Sequence, residues 1–124
     1  MLVFDAGAFI AAERADRAMW TRIKAALERG STPVTSTAVI AQVWRGDPRR
    51  ALLARLIKST EAVPLDTSAA LAAGALLAQT NTADVADAAL ILTAADGDRI
   101  YTSDPQDIAR LAQARGLSVE IIPV

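Results

Sequence analysis

Cysteine and histidine are absent from all 124 residues of this chain. Their absence removes disulfide staples, thiolate nucleophiles, imidazole general bases and the usual zinc sites. Polar chemistry must therefore rest on Asp, Glu, Ser, Thr, Lys, Arg or Tyr. Long apolar runs are lacking too. Stretches such as AALILTAA (88–95) fall well short of the roughly 20 apolar residues that a membrane-spanning helix needs. The opening MLVFDAGAFI has no basic segment and is interrupted by Asp5, so it does not read as a secretion signal. A cytoplasmic location with no membrane contact is expected. Repeats, low-complexity tracts and linkers are missing as well, which leaves a single domain over 1–124.

What the chain does have is apolar bulk. Hydrophobic residues make up 52% of it, enough to enclose one core without cross-links and to exclude general disorder. Net charge is only −1, but the signs are segregated. Residues 1–60 carry ten basic and five acidic side chains, and residues 61–124 carry three and nine. This asymmetry predicts one basic face and one acidic locus.

Apolar runs punctuated by turn and cap residues outline the elements. LVF (2–4), PVTS (33–36), EAVPL (61–65), RIYTS (99–103) and SVEIIPV (118–124) read as short strands. Between them lie predicted helices: AFIAAER, 16–29 from the cap Asp16 to Gly30, one from Ser36 or Thr37 to about Trp44, and 48–58 with Pro48 in its first turn. Three more follow: one from Asp66 or Thr67 to about Gln79, DVADAALILTAA from Asp84, and DPQDIARLAQAR with Asp104 at the cap and Pro105 behind it. Strands alternating with helices predict an α/β fold with a short, mostly parallel sheet and helices on both faces. Ligands of such sheets bind beyond the carboxyl ends of the strands.

Acids stand at those ends. Asp5 follows LVF, Asp104 follows RIYTS, and Asp84 and Asp87 open the most apolar helix of the chain. Capping accounts for Asp84, because an N-cap carboxylate accepts orphan N–H groups. It accounts less well for Asp87, one turn further in among residues that must be buried. A lone buried carboxylate is costly and tends to take up a proton, but it is tolerable beside a bound cation. Asp5, Asp87 and Asp104 are therefore expected to converge on one rim as a metal site, with Asp84 or Asp107 near. An all-carboxylate ligand set suits Mg²⁺, with Mn²⁺ as a substitute, better than zinc. Such an ion generates a nucleophilic water and neutralises phosphodiester charge.

The same residues carry a family resemblance. VFDAGAFIAAERADR, STAVIAQVWRG and DVADAALILTAADGDRIYTSDPQDIARLA, in that order, resemble the signatures of PIN-domain proteins, and specifically of the VapC-type toxins of bacterial toxin–antitoxin pairs. The resemblance runs over nearly the whole chain. It implies a three-layer α/β/α sandwich, a Mg²⁺-dependent endoribonuclease, a cognate antitoxin protein and a homodimer. Carried over by position, Asp5, Asp87 and Asp104 match the catalytic, metal-binding acids. Thr102 and Ser103 match the hydroxyl residues that precede the last of them. The family's second acid is usually a Glu, and Gln42 stands in its place here. That neutral oxygen costs the site one negative charge, which Asp84 is placed to supply.

Cleaving RNA also requires phosphate contacts. Arg14, Arg17 and Arg45 are the leading candidates, while Arg55 and Lys58 read as solvated helix surface. Trp20 and Trp44 read as packing residues before base-stacking ones. Two other functions share the rim of acids. A receiver-like phosphoacceptor would need a second acid beside Asp5 and a Lys after a late strand, and the chain has neither. An inactive scaffold binding RNA or antitoxin would be consistent with Gln42.

Overall fold

The computed structural model describes residues 1–124. Its elements are β1 (Leu2–Phe4), α1 (Ala6–Glu13), α2 (Arg17–Glu28), β2 (Val34–Ser36), α3 (Thr37–Val43), α4 (Ala51–Lys58), β3 (Glu61–Val63), α5 (Thr67–Thr80), α6 (Val85–Thr93), β4 (Arg99–Thr102), α7 (Pro105–Arg115) and β5 (Glu120–Pro123). The five strands form one sheet in the order β3-β2-β1-β4-β5. Every pairing is parallel, as the alternation of strands and helices predicts. In this α/β/α fold Val3 of β1 sits opposite both Val34 of β2 and Ile100 of β4.

Burial explains the composition. A parallel sheet is covered on both faces, so its central strands are apolar without alternation. Leu2, Val3, Phe4, Ile100 and Tyr101 are all buried. Phe4 meets Phe9 and Tyr101 edge to face, with ring centroids 5.7 and 5.9 Å away. The outer strands β3 and β5 are largely exposed and stay short. Pro64 directly follows β3 and Pro123 ends β5, which discourages further strand pairing at either edge.

Caps place most helix starts where expected. The side chains of Asp16, Ser36, Asp66 and Asp84 each accept a backbone N–H at the start of α2, α3, α5 and α6. Two elements depart from expectation. Helix α4 begins at Ala51 and not at Pro48. Asp47 Oδ1 accepts from the Arg49 N–H at 2.9 Å and holds 47–50 as a turn. The guanidinium of Arg50 reaches across to Glu13 at 2.6 and 2.8 Å and donates to the Val43 carbonyl at 2.9 Å, tying this turn to α1 and α3. Strand β3 stops at Val63 because Pro64 has no N–H to offer the ladder.

The strand order sets the position of the site. From β1 the chain moves outward through β2 to β3, then returns to the other side of β1 for β4 and β5. The connections leaving β1 and β4 therefore diverge, opening a crevice at their carboxyl ends. Asp5 and Asp104 stand at that crevice.

Candidate metal centre

Asp5 is 4% exposed and caps α1. Its Oδ1 accepts from the Ala8 N–H at 2.9 Å, and its Oδ2 accepts from the Ser103 N–H at 3.1 Å. The carboxylate thus joins the β1–α1 turn to the β4–α7 turn. Burial raises its pKa, opposed by the Thr102 hydroxyl and by the N–H groups of Ala8, Ser103 and Gly7.

Asp87 lies in the first turn of α6, and its own N–H donates to Asp84 Oδ1 at 3.0 Å. It is 8% exposed, and its carboxyl pKa is pushed up to about 7, first by burial and then by the negative charges of Asp84, Asp5, Asp104 and Asp107. Asp104 precedes α7, but its side chain makes no capping hydrogen bond. The carboxyl of Asp107 beside it, together with burial, raises its pKa. The buried Thr102 hydroxyl accepts the Asp104 N–H at 2.9 Å and holds this turn in place.

Carboxylate oxygens of Asp87, Asp104 and Asp107 all lie within 4.8 Å of one another. None of the three carboxylates is ion-paired to a Lys or Arg. Three hard oxygen donors sharing uncompensated charge suit a divalent cation, as does a carboxyl whose pKa burial first and like-charged neighbours second have raised. The grouping refines the sequence reading. Asp107, expected only as an auxiliary, belongs to the close cluster. Asp84 is the exposed cap of α6, and its charge acts on both Asp87 and Asp104. The position of Asp107 was legible: three residues after Asp104 on a helix opened by Pro105, it shares a face with the cap.

Gln42 is exposed on α3 and lines a shallow groove with Ala38, Ala41, Ala83, Asp84, Val85 and Ala86. It therefore faces the Asp84 end of the site. The arginines fare differently. Arg45 donates to the Ala41 and Trp44 carbonyls at 2.8 Å each, so its guanidinium caps the end of α3. Arg14 caps the far end of α1, roughly 13 Å along the helix from Asp5 at 1.5 Å per residue. Arg17 opens α2, exposed. Trp20 packs as expected, its indole N–H donating to the Ala12 carbonyl at 2.9 Å, whereas Trp44 is 39% exposed.

Gly7 escaped the sequence reading. A Cβ built on it would lie 2.5 Å from both Cβ and Oγ of Ser103 and 2.9 Å from the Ser103 nitrogen. Only a residue without a side chain lets the two turns meet this closely.

An all-parallel sheet in an α/β/α fold places this cluster of acids at its switch point, where sheets of this class bind ligands. The family is narrower still. The PIN domain family matches residues 2–114, and the chain belongs to it. PIN domains are generally nucleases and typically use divalent metals. Among solved structures the chain is similar to the VapBC2 complex of Rickettsia felis bound to a DNA fragment from its promoter. The TM-score is 0.71 at 12% identity, over 97% of each chain. At that identity the likeness shows the fold. No curated protein sequence matches the chain. No helix is long and apolar enough to cross a membrane.

Proposed function

We propose that this protein is a metal-dependent endoribonuclease of the VapC type, the toxin of a toxin–antitoxin pair. The convergence of Asp87, Asp104 and Asp107, braced by Asp5 at the crevice between β1 and β4, carries the reading. Asp87, Asp104 and Asp107 supply the oxygens that would hold Mg²⁺ or Mn²⁺, with Asp84 at the exposed side and Gln42 beside it. A bound ion would polarise a water and offset phosphodiester charge. The side chains themselves do the rest. Asp5 fixes the spacing of the two turns through its N–H contacts. The Thr102 hydroxyl holds the Asp104 backbone, and burial keeps Asp87 free of competing counter-ions. With no histidine in the chain, no imidazole serves as general base.

Sequencing of RNA ends after induced expression tests this, with Asp87→Asn expressed alongside. Cuts at defined sites that require Asp87 are expected. Cutting retained by the purified Asp87→Asn protein would refute the assignment, and a matched DNA substrate left intact would establish the preference for RNA.

Two partners belong to this reading. One is a cognate antitoxin, supported by the fold shared with a VapBC complex. The other is a second copy of the chain. No charged residue occurs between Asp66 and Asp84, so the exposed side of α5 is uncharged and presents Leu71 at 72% exposure. An apolar helix face of that kind marks an association surface. Sedimentation of the wild type as a dimer, and of Leu71→Glu as a monomer, is the expected result.

A further inference from the structure

We infer that Gly7 is a positioning residue for the metal centre: its bare Cα admits Ser103, so that the β4–α7 turn docks on Asp5 and carries Asp104 to the rim. This rests on the reading of the site as metal-binding.

The geometry is specific to one contact. Gly7 is the second residue of α1, directly below the cap Asp5, and its backbone dihedrals do not require glycine. Its constraint is space. Ser103 fills the volume a Cβ would occupy, at 2.5 Å from both its Cβ and Oγ and 2.9 Å from its nitrogen. That nitrogen is the one whose N–H reaches Asp5 Oδ2 at 3.1 Å. A methyl at position 7 and this hydrogen bond are therefore incompatible, because the backbone atom as well as the side chain must retreat. Asp104 is the next residue, fixed by its own N–H to the Thr102 hydroxyl at 2.9 Å. A retreat of Ser103 draws Asp104, and Asp107 in the first turn of the same helix, away from Asp87.

The test uses the full chain as Gly7→Ala, Ser103→Gly and the double variant. Two readouts are taken: Mn²⁺ affinity by calorimetry, and hydrogen exchange of the Ser103 amide in metal-free protein. Gly7→Ala should weaken Mn²⁺ binding by about tenfold or more, as loss of a ligand-orienting contact does. It should also speed exchange at Ser103 while the thermal midpoint and the exchange of β1 and β4 core amides stay near wild type. The double variant removes Cβ and Oγ of Ser103 but keeps its nitrogen 2.9 Å from the new methyl, so it should recover part of the affinity lost in Gly7→Ala. Unchanged Ser103 exchange in Gly7→Ala, or a double variant no better than the single one, would overturn the inference. A wild-type protein that ignores Mn²⁺ while Gly7→Ala still frees the Ser103 amide would remove the metal reading and leave the clamp standing.

Discussion

Replacing Asp87 with Asn keeps the shape of the side chain and removes its charge. In metal-free protein this should stabilise the fold at neutral pH. Folded Asp87 titrates at about 7 against 3.8 for an unperturbed Asp. An upward shift means that the folded state keeps a proton the unfolded chain has already released. Stability is therefore full below about pH 4, declines as pH rises, and levels off above about pH 7. At about 1.4 kcal/mol per unit, the decline attributable to Asp87 amounts to about 4 kcal/mol. Asn at this position is neutral throughout and escapes it. Urea unfolding of both proteins in EDTA across this range should show equal stability at the acid end. Toward neutral pH the variant should gain an advantage of about 1.4 kcal/mol per unit. Added Mn²⁺ should reverse the order, because binding stabilises the wild type alone. A pH-independent difference would refute the account of Asp87 as a buried acid strained by its neighbours.

Gln42→Glu should tighten Mn²⁺ binding by adding a carboxylate to the groove beside Asp84, as read by calorimetry; unchanged affinity would mean that position 42 lies outside the site. Asp107→Asn should cost as much metal affinity as Asp104→Asn, since both belong to the close cluster, and a negligible loss would demote it to a surface acid. Below about pH 7, Mn²⁺ affinity should fall as pH drops, because binding must displace the proton that Asp87 retains; proton release measured in two buffers checks this. Arg50→Ala should lower the thermal midpoint more than Arg49→Ala. Arg50 bridges three elements through Glu13 and the Val43 carbonyl, whereas Arg49 pairs with its near neighbour Asp47 at 88% side-chain exposure.

The order of strands and helices and the acids at the strand ends were written into local pattern. Cap residues announced α2, α3, α5 and α6, and the apolar run LVF and the β-forming stretch RIYTS announced β1 and β4, because caps and burial act over a few residues. Pro48 misled for the same reason. It suits a first helical turn, but the Asp47 contact to the Arg49 N–H and the reach of Arg50 to Glu13, 37 residues away, delay α4 until Ala51. That one guanidinium nitrogen of Arg45 donates to the Ala41 and Trp44 carbonyls was likewise not legible, because nothing nearby in sequence shows that α3 ends in carbonyls needing a donor.

Residue types alone decided the chemistry open to this chain. Without histidine or cysteine its only metal ligands are hard oxygens, and aspartates after apolar strands mark where they gather. Which aspartates meet was settled by the tertiary structure. Asp87, Asp104 and Asp107 close on one another, Asp5 turns its oxygens to backbone N–H groups of two turns, and Asp84 caps α6 at the exposed side. The physical reason is range. Capping and hydrophobic periodicity are local, whereas the 98-residue span from Asp5 to Ser103 is bridged only when the parallel sheet sets β1 beside β4.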